Sequence, residues 1–175
     1  MQRKNRDCII FLEADMKLIP LVGRGAGLFV KVDDGDFDTL MTRKWRLNTK
    51  GYAVSCTLGS KDVRKQVWMH RVIMEAPFSS QVDHKNRDRL DNQKHNLRLC
   101  TGSENRINSG LLQKNTSGYK GVSWSQQWGK WVAAIQKEGK KLVLGGFDSK
   151  EEAAKAYDAK ARELFGEFAY CNFPK

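Results

Sequence analysis

The chain has 175 residues, 40% of them hydrophobic and 29% charged, a composition that fits one globular domain or two small ones. No apolar run approaches the ~20 residues of a membrane helix, and Met1–Asp7 opens no signal-peptide pattern, which sets membrane and secreted classes aside and leaves a cytoplasmic protein as the expectation. Thirty-one Lys and Arg against 20 Asp and Glu leave a net charge of +11, which points to a polyanion, since neutralising phosphates releases condensed counterions.

Taken in chain order, residues 1–16 carry no interpretable pattern. Lys17–Val22 and Gly27–Val32 read as short strands around Gly23-Arg-Gly25, and Asp33-Asp-Gly-Asp36 opens a helix through Met41, its acids placed where a helix N-terminus favours them. Tyr52–Thr57 and Arg64–Met69 alternate as a hairpin. Between Arg43 and Arg71 the basic residues face a single acid, Asp62, which suits a phosphate track or a solvated strand edge. Thr101-Gly-Ser-Glu104 is a capping box that predicts a helix from Gly102, with Asn105 and Asn108 in its first two turns.

Ser109 to Gly118 reads as a linker. Beyond it, Tyr119–Trp124, Lys130–Gln136 and Lys140–Phe147 suggest three strands with turns at Gly129 and Gly139. Ser149-Lys-Glu-Glu152 is a second capping box. Ala153, Tyr157, Ala161 and Leu164 then recur at helical spacing as far as Gly166, a suitable C-terminal cap. The four cysteines, Cys8, Cys56, Cys100 and Cys171, lie too far apart for a paired-cysteine zinc site or a dense disulfide framework, so they read as reduced thiols.

The chemistry concentrates in Val82-Asp-His-Lys-Asn-Arg-Asp-Arg-Leu-Asp-Asn92, continuing through Asn96-Leu-Arg98 to Asn105. Asp83 and His84 offer a metal ligand and a base side by side, and Asn105, on the predicted helix, adds a carbonyl oxygen. A hard cation wants such oxygens, and a neutral imidazole can take a proton from water near neutral pH. A turn rich in Asp and Asn that merely caps local structure would look similar on residue types alone.

Residues 82–105 resemble the active-site motif of HNH nucleases of the phage and intron homing type. Lys17–Leu21, Val32–Asp36 and Met69–Ile73 resemble the region that precedes it. The resemblance implies His84 as general base, Asp83 and Asn105 as ligands of one divalent ion, and Asn96 as the residue that braces the loop behind the histidine. Asn105 stands where the founding pattern has histidine, which implies Mg2+, with Mn2+ as the other candidate, over zinc. Arg98 can neutralise a DNA phosphate or sit in a surface salt bridge. His70 reads as a structural histidine and His95 as exposed.

Tyr119–Val122, Trp128–Trp131, Leu144–Phe147, Glu152–Ala154, Ala156–Asp158 and Asn172–Pro174 resemble the plant apetala-two/ethylene-response-factor DNA-binding domain. That fold places a sheet face in the major groove. Lys120, Lys130 and Lys141 would then serve phosphates, and Trp128 is the exposed candidate, while Trp124 and Trp131 also suit core packing. Ser123, Ser125, Ala134 and Gln136 replace the plant arginines and glutamate, and one extra residue precedes Trp128. Bidentate arginine–guanine readout is therefore largely absent.

Together these readings give an α+β protein: an N-terminal HNH (ββα-metal) nuclease domain at 1–110, a linker at 111–117, and at 118–174 a small three-stranded antiparallel sheet packed on one helix. The expected activity is metal-dependent cleavage of double-stranded DNA, with no membrane and no obligate protein partner. One rival is a non-catalytic, sequence-specific DNA-binding regulator; another is an RNA-directed protein.

Overall fold

The computed structural model describes residues 15–58, 64–111 and 114–173. Most of the unread N-terminal segment, Asp62 and the middle of the linker lie outside these residues. By contacts the chain divides into two compact units: Met1–Ala76 with Asp88–Leu97, and Pro77–Arg87 with Arg98–Lys175. The structure is mixed α/β with small sheets. No helix of the described residues is long and apolar enough to cross a membrane.

In the first unit, β1 (Met16–Pro20) pairs antiparallel with β2 (Phe29–Asp33). Alternation buries Ile19, Val30 and Val32 and leaves Leu18 and Phe29 outside. Helix α1 (Asp34–Met41) follows directly, with Asp34 and Asp36 in its first turn as its dipole favours. Strands β3 (Arg46–Leu47), β4 (Ala53–Leu58) and β5 (Arg64–Trp68) form an antiparallel sheet, and α2 (Met69–Ile73) leaves β5. His70 is buried on α2, its ring 5.2 Å from Tyr52 and 5.7 Å from Trp68.

The segment Asp88–Leu97 is stitched to β2: Lys31 N donates to Leu90 O and Asn92 N donates to Lys31 O, both at 2.8 Å. The Asp33 carboxylate accepts from Lys94 N at 2.8 Å, and Lys94 pairs with Asp36. These bonds hold a polar loop that has little apolar surface of its own.

In the second unit, β6 (Gln81–His84) pairs with β7 (Leu97–Cys100), and α3 (Gly102–Ile107) follows. The capping box forms as its sequence dictates: Glu104 N donates to Thr101 Oγ1 at 3.2 Å and Thr101 N donates back to the Glu104 carboxylate at 2.7 Å. The Thr101 N–H and the Thr101 hydroxyl, both donating to the Glu104 carboxylate, lower its pKa from the ordinary value.

Strands β8 (Val122–Ser125), β9 (Lys130–Lys137) and β10 (Lys140–Phe147) form an antiparallel sheet in the order β10-β9-β8. Helix α4 (Lys150–Phe165) starts at a second capping box, on Ser149 and Glu152. Its Ala153 and Ala154 share a buried cluster with Val122 and Ala133, and Tyr157 and Ala161 share another with Ile135. β8 begins later than its sequence suggests. Tyr119, Lys120 and Gly121 form a turn in which Gly121 takes φ +75°. A Cβ there would lie 2.0 Å from the Tyr157 ring, so the helix approaches bare backbone.

Candidate active site and DNA-facing surface

Strand β6 ends on two adjacent functional side chains, and both are buried: Asp83 at 5% exposure and His84 at 4%. The Asp83 carboxylate is held by three donors' worth of side chain. Arg98 of β7 gives Nε and Nη2 to Asp83 Oδ2 at 2.9 and 2.7 Å, and Asn108 Nδ2 lies 3.0 Å from both oxygens. The same Asn108 nitrogen reaches His84 O at 2.9 Å, so one amide ties the strand end to the end of α3.

The site differs from its sequence reading in several places. Asn105, expected beside Asp83, donates instead to Gln81 Oε1 at 2.7 Å, two residues earlier on β6. Asn108 takes the place at the carboxylate. It is the C-terminal cap of α3, three residues after Asn105, and that spacing keeps both amides on one side of the helix. Arg98 lies in a buried ion pair rather than on the surface. Asn96 belongs to the first unit, where it is buried and donates to Asp91 O at 2.8 Å across its own loop. His95 is exposed.

Arg98 has further partners within its unit. Its Nη1 donates to Glu167 O at 2.6 Å, and its Cζ lies 3.9 Å from the Phe168 ring centroid. Gly166–Phe168 is a short 3-10 turn directly after α4. Nearby on β7, burial and the Asp83 charge push the Cys100 thiol up to about 11, so it stays protonated.

Lys120 also departs from expectation. It does not project from a strand: its Nζ donates to Ile107 O at 2.6 Å and Ser109 O at 2.7 Å, next to the carbonyl end of α3. Burial and the neighbouring Arg87 charge lower its amine to about 8. The Tyr170 ring lies within 4.8 Å of Lys120 and 4.3 Å of Arg87.

The face of the second sheet away from α4 is read from its register. Val132 pairs with Ser123 and Gly146, Ala134 with Val143, and Gln136 with Lys141. Trp128 is 52% exposed and packs over Gly146, whose added Cβ would lie 3.3 Å from its ring. Lys141 is exposed, and Lys130 pairs with Asp148 at 3.2 Å. Trp124 is 49% exposed although it stacks edge-on with Trp131, so it is not a core residue. In the first unit, Arg43, Lys44 and Arg46 line a cavity with Val22, Ser55 and Cys56.

The chain is 32% identical over 152 residues to the uncharacterised HNH endonuclease L560 of Acanthamoeba polyphaga mimivirus, covering 87% of this chain and 79% of that protein. It belongs to the HNH endonuclease family. Within this family member, residues 117–167 match the AP2 domain. The chain is also 51% identical over 59 residues to dehydration-responsive element-binding protein 2D of Arabidopsis thaliana, 33% of this chain and 28% of that one. Protein 3.8 of Escherichia phage T7 is 37% identical over 93 residues, 53% of this chain and 76% of its own. No solved structure matches the chain.

Proposed function

We propose that this protein is a divalent-metal-dependent endonuclease of the homing type that hydrolyses phosphodiesters of double-stranded DNA. In this reading β6, β7 and α3 form the catalytic ββα unit, and the AP2-like region presents its open sheet face to DNA. The functional division is a nuclease domain at 1–110, a linker at 111–117 and a reader at 118–174. The observation that carries the reading is the pair Asp83–His84, buried at the end of β6 and fastened to α3 by Asn108.

The donor set suits a hard cation. Asp83 would supply a carboxylate and Asn105 of α3 an amide oxygen, while Asn108, whose Nδ2 donates to Asp83, would hold that carboxylate in place. Such a site matches Mg2+ or Mn2+, ions that use one or two carboxylates and complete their shell with water and substrate phosphate. When bound, the ion supplies Lewis-acid neutralisation of the phosphate and of the departing 3′ oxygen.

His84 takes the proton of the attacking water on its imidazole, and the water oxygen then bonds to phosphorus as the 3′ oxygen leaves. The products carry 5′-phosphate and 3′-hydroxyl ends. Asn96 holds the loop that ends at β7 by its bond to Asp91 O. On the reader, Trp128 and Lys141 meet the duplex, with Lys130 beside them, and Lys120 acts from inside by supporting the turn before β8. Arg43, Lys44 and Arg46 add phosphate contacts from the first unit.

The regulator reading has one observation in its favour: Arg98 already neutralises Asp83. Product chemistry separates the two. Incubating the full chain with linear duplex and Mg2+ should yield fragments with extendable 3′ ends and ligatable 5′ ends. Retarded but intact duplex with both Mg2+ and Mn2+ would favour the regulator.

A further inference from the structure

Resting on the reading of Asp83 as the metal-holding carboxylate, we propose that Arg98 is a built-in counter-cation for Asp83. It is positioned by the turn that follows α4, and it passes to a DNA phosphate when duplex is engaged. Arg98 is thus a positioning residue: it acts through Asp83 on when the centre accepts its ion.

Every nitrogen of the Arg98 guanidinium is committed. Nε and Nη2 are on Asp83 Oδ2, and Nη1 is on Glu167 O. The Phe168 ring stacks on its plane at 3.9 Å, and the Glu167 carboxylate lies 3.9 Å from Nη1. The arginine is 9% exposed and the aspartate 5%. A pair this desolvated feels charge strongly, because little water screens it. A dication brought to Asp83 therefore meets a fixed positive charge already bonded to the oxygen it needs.

DNA offers the guanidinium an alternative. Arginine is weakly hydrated, and its planar fork matches phosphate as well as carboxylate. A phosphate that draws Arg98 off Asp83 frees one carboxylate oxygen of two charge-assisted bonds at once. Asn108 remains to hold the carboxylate in place. By linkage, duplex then raises metal affinity and metal raises duplex affinity by the same factor. The turn at Glu167–Phe168 sets the threshold, since its carbonyl and ring hold the guanidinium on the aspartate side. The end of the AP2-like region thereby touches the catalytic carboxylate through one side chain.

The test is an equilibrium titration of the full chain with Mn2+, followed by the EPR signal of the free ion, in the absence of DNA. Arg98→Gln should bind Mn2+ roughly tenfold more tightly than wild type, the lower end of what a desolvated charge neighbour is worth. Phe168→Leu keeps the apolar contact and the ion pair but removes the ring, and should tighten binding by a smaller factor. It also decides the matter if Arg98→Gln does not fold. Adding a short duplex should tighten Mn2+ binding to wild type by a larger factor than to Arg98→Gln, in which only the phosphate's own ligation of the ion contributes. A purely structural role for Arg98 predicts the opposite sign, weaker Mn2+ binding in both variants. Equal or weaker binding by the variants overturns the proposal. If wild type still cuts DNA in that case, the nuclease reading stands without it. If Asp83→Asn binds Mn2+ as wild type does, the ion is elsewhere and this inference falls.

Discussion

The Asp83 carboxylate accepts from Arg98 twice and from Asn108 on both oxygens, and all three residues are buried. Asp83→Asn therefore leaves a buried guanidinium without its counter-charge. The expected loss is about 3 kcal/mol or more of folding stability, measurable by urea denaturation of the full chain. The double variant Asp83→Asn/Arg98→Met should recover most of that loss, because it removes the orphaned charge. Lys120 gives a pH signature of its own. Its amine is lowered to about 8 from the ordinary 10.5. Between those values the unfolded chain holds a proton that the folded chain has released, so stability rises with pH across that window. Lys120→Met should abolish this rise in thermal melts taken from pH 8 to 10. A rise that persists in the variant would assign it to another group.

At the scale of elements, the devices legible in the sequence are the local ones. Both capping boxes form on the residues that spell them, and β1, β2, α1, β4, β5, β9, β10 and α4 lie within a few residues of their alternation or periodicity. What the sequence did not disclose depends on tertiary approach. Arg98 meets Asp83 because β7 pairs with β6, and nothing local to either residue states that pairing. Asn108 was visible as a helix residue, but which of two amides on one face reaches the carboxylate depends on how α3 is set against β6. Lys120 turns inward because Gly121 breaks the strand that alternation would have extended to Tyr119. Gly121→Ala should test that turn. Its new methyl would overlap the Tyr157 ring and its backbone would keep a positive φ, for a combined cost of about 3 kcal/mol in chemical denaturation. The Asp158 carboxylate closes the same region, accepting from Asn172 N at 2.7 Å and Phe173 N at 2.8 Å, which gives Asn172 and Phe173 a physical role.

At the scale of the whole molecule, 31 basic residues, membership of the HNH endonuclease family and a match to the AP2 domain are what the proposed function joins, in which the protein first finds duplex and then cuts it. A short catalytic motif reads little sequence, and a tethered reader raises its effective concentration at a site. Affinity should fall steeply with salt, since phosphate contacts dominate it. Trp128→Ala/Lys141→Ala should weaken duplex binding in a mobility-shift titration and flatten that salt dependence by about one ion for the lost lysine contact. Those substitutions should leave cleavage of saturating plasmid close to wild type. The central claim, that Asp83–His84 is a hydrolytic centre, is tested most directly with supercoiled plasmid at low salt. Wild type and His84→Ala are compared with and without Mg2+ or Mn2+. The account predicts open-circle or linear DNA from wild type with metal alone, and a loss of at least a hundredfold in rate for His84→Ala, as removal of a general base brings. Equal cleavage by His84→Ala would contradict it.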